Sequence, residues 1–227
     1  MGTKDILVQT QNLFKIYGEG TRVQALDNVT MTISRGEFLV IRGPSGSGKS
    51  TLLNIIGTLD RPSSGKVILD GVDVSTLIGN ALADFRRNKI GFIFQLFHLV
   101  PTLTVLENVI LPLLPYQRKL PFRLTDRAKG LLEQVGLGKR ISHLPGQLSG
   151  GEQQRTAIVR ALINQPCLIL ADEPTGNLDS QSGKEVLRLL RDLNQQQGIT
   201  FILATHDPAI AYQADRAVFI KDGRLVN

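Results

Sequence analysis

The chain has 227 residues, 42% of them hydrophobic and 20% charged. That is the length of one large domain, with enough apolar surface for a sizeable core and too little charge for a disordered chain. Lys and Arg outnumber Asp and Glu by 26 to 20, a net charge of +6, which suits phosphate-bearing partners without choosing among nucleic acid, anionic membrane and nucleotide. Mean hydropathy is close to zero. The longest apolar runs, near residues 90–101 and 106–114, are interrupted by Gly, Gln, His, Glu, Asn and Pro, and neither reaches the roughly 18 residues of a membrane-spanning helix. A single Cys excludes an intrachain disulfide, and the opening Met1-Gly2-Thr3-Lys4-Asp5 lacks the apolar stretch of a signal peptide, so a reducing, cytosolic setting is expected. With no Trp and few aromatics, a stacking platform for single-stranded nucleic acid is not indicated.

In chain order, alternation predicts strands over residues 6–17 and 25–34, where Val29, Met31 and Ile33 share a face. The apolar run Phe38-Leu39-Val40-Ile41 follows and leads into Gly43. Residues 64–74 read as a hairpin turning at Asp70-Gly71. Residues 90–94 form another buried strand, after which Pro101, Pro112, Pro115 and Pro121 punctuate a helix-rich middle. Helices are expected over 105–111 and 125–135, the second capped by Thr125 and ended near Gly136 and Gly138. Further on, a helix from 151 to about 164, a strand over 167–171, a helix over 180–197 and a strand over 200–204 alternate as in a parallel sheet flanked by helices. The tail reads as a hairpin turning at Asp222-Gly223. The expected class is α/β, with an antiparallel β-sheet beside the parallel core and an inserted helical unit.

Gly43-Pro44-Ser45-Gly46-Ser47-Gly48-Lys49-Ser50 fits G-x-x-x-x-G-K-[ST], directly after a buried strand and before the helical run from Thr51 to Gly57. Backbone N–H groups of such a loop turn inward around phosphate oxygens, and the helix N-terminus adds partial positive charge. Lys49 is placed to reach the β- and γ-phosphates, and the Ser50 hydroxyl to ligate Mg²⁺. Asp172 and Glu173 end a second apolar strand at the edge where open α/β sheets bind their ligands. Asp172 suits the Mg²⁺ shell, and Glu173 suits orienting a water for attack on the γ-phosphate. His206 ends a third strand in the same way and could donate to the γ-phosphate. His98 and His143 have no comparable setting, and no His/Cys metal cluster is present.

Leu148-Ser149-Gly150-Gly151-Glu152-Gln153-Gln154-Arg155 resembles the signature motif of ABC-type ATPases, and its place between the two phosphate motifs matches that family. Physically, Ser-Gly-Gly opening a helix is a second anion site. The resemblance spans nearly all of the chain and implies a P-loop NTPase fold that hydrolyses ATP with Mg²⁺. It implies a head-to-tail homodimer in which each ATP lies between Lys49 of one subunit and Ser149 and Gly151 of the other, with Gly150 and Glu152 beside them. It also implies that Tyr17 stacks on adenine, that Gln95 touches Mg²⁺ and the attacking water, and that Asp179 crosses the dimer interface. Residues 1–95 and 156–227 would form the ATPase core with its β-subdomain, and 96–155 the helical subdomain that docks on a transporter.

Asn54-Ile55-Ile56-Gly57-Thr58-Leu59-Asp60-Arg61-Pro62, Leu106-Glu107-Asn108-Val109 and Pro174-Thr175-Gly176-Asn177-Leu178-Asp179-Ser180 are similar to ATPases of the macrolide-efflux and lipoprotein-release (MacB/LolD) type. That type implies a separate integral membrane permease, an optional periplasmic adaptor, and a site on the cytoplasmic side of the inner membrane, with no nucleic acid involved. Thr156-Ala157-Ile158-Val159 departs mildly from the relatives, which often carry Val and Ala there, and touches no phosphate contact. Lys49 and Ser149 lie only 100 residues apart without sustained heptads, which argues against the coiled-coil ABC ATPases of DNA repair. A regulatory clamp that signals through a membrane partner without moving cargo is the alternative function; the same site would serve both.

Overall fold

The computed structural model describes residues 5–18 and 20–226. Of the opening residues 1–5, expected to lack an apolar leader, only Asp5 lies within them. Strands β1 (Ile6–Tyr17) and β2 (Val23–Ser34) pair antiparallel, and the alternation in β2 buries Val29, Met31 and Ile33 while Thr30 and Thr32 face outward. Strand β3 (Phe38–Arg42) runs into the Gly-rich loop and helix α1 (Lys49–Ile56). Next come β4 (Ser64–Leu69) and β5 (Val72–Asp73), joined through Asp70 (φ 51°) and Gly71 (φ 77°), the two positive values that an Asp-Gly hairpin turn requires. Helix α2 (Gly79–Lys89) leads to β6 (Ile90–Ile93), then α3 (Val105–Ile110), a 3₁₀ stretch over Leu111–Lys119, and α4 (Leu124–Gln134). Helix α5 (Gly150–Leu162), β7 (Leu168–Asp172), α6 (Ser180–Gln197), β8 (Thr200–Thr205), α7 (Pro208–Ala211), β9 (Arg216–Lys221) and β10 (Arg224–Val226) complete the order.

Two sheets result. One is antiparallel, in the order β2-β1-β4-β5; the other is β10-β9-β3-β8-β7-β6, parallel except for the terminal β9–β10 hairpin. Strands β3, β7 and β8 are apolar on both faces because both faces are covered. Leu39, Ile41, Leu170 and Ile202 pack with α1 and the antiparallel sheet. Val40, Ile169, Phe201 and Leu203 pack against α5 and α6. A third cluster joins α3, α4 and α5 through residues such as Val105, Leu132 and Val159. Helix α5 therefore contributes to two cores, with Ile158 and Leu162 in one and Val159 and Ile163 in the other.

The structure differs from expectation in places. Thr125 does not cap α4: the helix starts at Leu124, Arg123 is the N-cap residue without a side-chain bond, and Thr125 is exposed in the first turn. Burial of Leu124 in the third cluster fixes that start, and no side-chain acceptor was needed. Helix α2 has no sequence-level counterpart because it contains no fully buried residue; Phe85 reaches the core only partly.

At β6, Gly91 approaches α5 so closely that an added Cβ would lie 2.6 Å from the Ala161 carbonyl oxygen. Gly91→Ala should push α5 away from the sheet and cost about 1–3 kcal/mol, as overpacking does. Thermal unfolding followed by circular dichroism should show a Tm lowered by roughly 2–10 °C for a chain of this size; an unchanged Tm would refute the close approach.

Candidate active site

Register builds the site. Arg42 at the end of β3 pairs with Thr205 of β8, and Ala204 pairs with Asp172 of β7, so the three strands reach one edge in step. With parallel neighbours about 4.8 Å apart, the Gly43 loop, Glu173 and His206 emerge side by side within roughly 10 Å.

The loop 43–48 is held against the terminal hairpin: the Gly223 N–H donates to the Ser47 carbonyl at 3.0 Å. Gly48, the residue preceding α1, has φ 104°, and a Cβ there would meet the Ala25 carbonyl at 2.5 Å; at Gly43 it would meet the Ile220 carbonyl at 2.1 Å. Only glycine fits either position. Lys49 is buried, and its Nζ donates to the carbonyls of Gly43 and Pro44, both at 2.9 Å, so the ammonium lies beneath the loop and forms no ion pair with a carboxylate among the described residues. The Ser47 hydroxyl is buried with no hydrogen-bond partner. Ser50 and Thr51 follow in the first turn of α1, and Pro44, Ser45 and Gly46 form its outer rim.

Asp172 is half-buried with Oδ1 unpartnered. Burial pushes its carboxyl above the usual aspartate range, opposed by a bond from Ser50 and the charge of Lys49 and reinforced by the charge of Glu173. Glu173 takes a left-handed backbone (φ 46°), unusual for a non-glycine residue and of the sort found at functional sites. Its Oε1 accepts from the His206 backbone N–H at 3.1 Å and contacts the exposed imidazole at Nδ1 at 2.8 Å, while Oε2 accepts from Thr205 Oγ1 at 3.3 Å. Tyr17 is 41% exposed. Its phenol donates to Asp60 Oδ2 at 2.6 Å, and Lys15 Nζ sits 4.7 Å from the ring centre. Burial and Asp60 push the phenol upward, and a bond with Thr51 opposes them, which sets the ring beside the phosphate loop.

A second group gathers around α5. Ser149 caps the helix in a reciprocal box: its Oγ accepts from the Glu152 N–H at 3.3 Å, and Glu152 Oε2 accepts from the Ser149 N–H at 2.8 Å. These bonds, together with Arg140 at 3.3 Å, hold the Glu152 carboxyl below its usual range. Gly150 abuts Leu178, and Gly151 abuts Ser182. Asp179 caps α6, accepting from the N–H groups of Gln181 and Ser182 at 3.0 Å each. Gln95 donates from Nε2 to Asn177 Oδ1 at 3.3 Å, and Asn177 donates back to the Gln95 carbonyl at 3.0 Å. Lys49, Asp172, Glu173, His206 and Tyr17 thus form one group, and Ser149, Gly150, Gly151, Glu152, Asp179 and Gln95 another. Sequence reasoning missed Thr205, Asp60, Arg140 and the buried Gln154, which donates to the Pro174 carbonyl at 2.6 Å. Thr205 could have been found from its place beside His206 at a strand end; Asp60 and Gln154 stand in the runs 54–62 and 148–155, which carry the family resemblance without encoding these contacts, and Arg140 carries no local signal.

The sequence profile of the ABC transporter family matches residues 26–176. The chain is 51% identical over 221 residues to the ABC transporter ATP-binding protein MJ1508 of Methanocaldococcus jannaschii, covering 97% of this chain and 98% of that protein. It belongs to the ABC transporter ATP-binding family. It is also 51% identical to the lipoprotein-releasing system ATP-binding protein LolD of Shewanella oneidensis, over 98% of this chain and 96% of LolD. A solved dimeric ATP-binding cassette, MJ0796, in a post-hydrolysis state bound to ADP and Pi, superposes with a TM-score of 0.89 at 45% identity, covering 97% of each chain. The ABC cassette described here is a P-loop NTPase and an ATPase, an ATP-binding subunit in which a parallel core, an antiparallel β-sheet and a helical unit recur as expected.

A divalent cation fits the cassette's donor set: Asp172 offers a buried, unpartnered oxygen beside the Ser50 hydroxyl, both hard oxygen ligands. Because the folded-state carboxyl of Asp172 is raised, its ionisation costs stability; the cost is absent below the unfolded value of about 4 and appears as pH rises through the folded value. Asp172→Asn should therefore raise the Tm of the nucleotide-free protein near pH 8 while leaving it unchanged near pH 4, and should abolish the additional stabilisation by MgATP over ATP in chelator. Equal Tm differences at both pH values would contradict this account of Asp172.

Proposed function

We propose that the chain powers a separate membrane permease of the lipoprotein-release or macrolide-efflux kind, acting as a head-to-tail homodimer on the cytoplasmic face of the membrane. One observation carries the reading: the chain has two glycine-rich turns that open helices on different layers, the Lys49 loop at the sheet edge and Ser149-Gly150-Gly151 at the start of α5, each suited to an anion. In a head-to-tail pair each ATP lies between Lys49 of one protomer and the partner's Ser149 and Gly151, with Gly150 and Glu152 alongside. The dimeric MJ0796 cassette supports a pairing of two copies around nucleotide. No helix of the described residues is long and apolar enough to cross a membrane; the lipoprotein-releasing LolD relative supports the assignment of translocation to a permease, with an adaptor beyond it in efflux-type systems.

In this mechanism the backbone N–H groups of the loop from Gly43 through Thr51 cradle the phosphates, and Lys49 turns its donors from the loop carbonyls to the β- and γ-phosphate oxygens. Ser50, Asp172 and Gln95 would hold Mg²⁺, which would supply neutralising charge beside the phosphates. Glu173, fixed by Thr205 and His206, orients the attacking water, and His206 donates to the γ-phosphate. Tyr17, braced by Asp60, stacks on adenine, and Asp179 reaches across the interface. Residues 96–155 form the unit that docks on the permease. An apolar groove of about 570 Å³, lined by Phe92, Phe94, Leu111, Tyr116 and Arg160 among others, supports a docking place between that unit and the core.

Glu173→Gln should accumulate an ATP-bound dimer on size-exclusion chromatography while turnover falls by at least about 100-fold; turnover at the wild-type rate would remove Glu173 from its role. Co-purification of the tagged chain from membranes should recover a permease with a large extracytoplasmic domain. Recovery of a cell-wall hydrolase in its place would favour the regulatory clamp.

A further inference from the structure

Arg160 sits in the last turn of α5, the helix whose first turn is Ser149-Gly150-Gly151. Its guanidinium reaches across to the loop that follows Gln95. Nη1 donates to the His98 carbonyl at 2.5 Å and Nη2 to the Phe97 carbonyl at 2.6 Å. Among the described residues it forms no ion pair, so a largely desolvated cation has backbone carbonyls as its partners, and burial lowers its pKa. The loop it grips is unusual. Phe97 (φ 45°) and His98 (φ 49°) are consecutive non-glycine residues in the left-handed region, which L side chains avoid. Such a conformation persists only where the surroundings hold it. The fork also meets a second boundary: Arg160, His98 and Phe94 all line the apolar groove, where the His98 and Phe94 rings lie 4.9 Å apart.

We infer that Arg160 is a positioning residue for Gln95, clamping residues 97–98 in their left-handed form so that the preceding glutamine is held at the 176–177 loop. The inference rests on the proposed role of Gln95. A rigid planar fork suits the task because two parallel N–H groups fix both the distance and the direction of two successive carbonyls, which a lysine ammonium cannot do. The clamp joins both ends of one helix to the site: the N-terminus through Ser149, and the C-terminal turn through Gln95.

The test compares steady-state MgATP turnover of the full chain as wild type, Arg160→Lys, Gln95→Ala and the double variant. Arg160→Lys should lower kcat by about tenfold with KM within about twofold, the pattern of a group acting on the reacting geometry rather than on ATP binding. In the Gln95→Ala background the same change should lower kcat by less than about twofold, because the two residues act in series. Adding His98→Gly to Arg160→Lys should recover about a third or more of the loss, since glycine adopts the left-handed conformation without a clamp. Should Arg160→Lys fail to fold, His98→Val tests the same link from the loop side, because a β-branched residue resists that conformation, and it should reproduce the kcat loss and its dependence on Gln95. Equal losses with and without Gln95, or a rise in KM at unchanged kcat, would overturn the inference. If Gln95→Ala lowers kcat but neither Arg160→Lys nor His98→Val does, the clamp alone falls; if Gln95→Ala leaves kcat at the wild-type value, the role given to Gln95 falls with it.

Discussion

Parallel pairing of β8 with both β3 and β7 brings Thr205 level with Arg42 and Ala204 level with Asp172, and a stack of Phe38 on Phe201, with ring centres 5.5 Å apart, lies across the first of these pairings. The Gly36 N–H donating to Thr200 Oγ1 at 2.8 Å pins the other end. A slip of one residue would exchange the two faces of β8, sending Phe201 and Leu203 toward α1 and Ile202 toward α5 and α6. Both faces are fully buried in clusters shaped for their present occupants, and close-packed interiors tolerate such exchanges poorly. The register that the core enforces is the register that lines up the loop, the acidic pair and the histidine.

Around that edge the chain concentrates features that a core avoids. Lys49 is buried against carbonyls alone, Ser47 and Asp172 keep unpaired oxygens, and Glu173 adopts a backbone conformation costing of order 1–3 kcal/mol. The polar departures at Lys49, Ser47 and Asp172 sit where a phosphate or a cation would satisfy them. By contrast, the turns that shape the antiparallel sheet obey their sequence preferences, as Asp70-Gly71 does, and Asp70 is further fixed by Arg35 at 2.6 Å and Lys89 at 2.7 Å.

The sequence was most legible where local pattern and tertiary demand coincide. Alternating Val29, Met31 and Ile33, the doubly buried run from Phe38 to Ile41, the Asp-Gly turn and the glycines before Lys49 all announce their structure, because each meets a backbone or burial requirement with a residue type that few other settings favour. Helix α2 was silent because its inner face is only partly covered, and the start of α4 was misjudged because burial of Leu124 outweighs a side-chain cap of about 1 kcal/mol. At the site, the phosphate loop and acidic pair could be read directly. The grouping of Gln95 with Asn177, the bracing of Tyr17 by Asp60 and the grip of Arg160 on residues 97–98 could not, since they join positions 43 to 82 residues apart through side-chain geometry that no local spacing encodes.

Helix α5 belongs to two hydrophobic clusters at once, and where it crosses β6 the backbones of Gly91 and Ala161 come close together while Ile93, further along the strand, packs in one cluster with Ile158 and Leu162. So close an approach leaves no slack between helix and strand, and hydrogen bonds near either end, Gln154 to the Pro174 carbonyl and Arg160 to the Phe97 carbonyl, tie the helix to two of the loops that leave the sheet edge. A rod seated this tightly carries a load along its length: the close-packed surface beneath leaves no room to absorb a displacement applied at one end, so the other end must take it up.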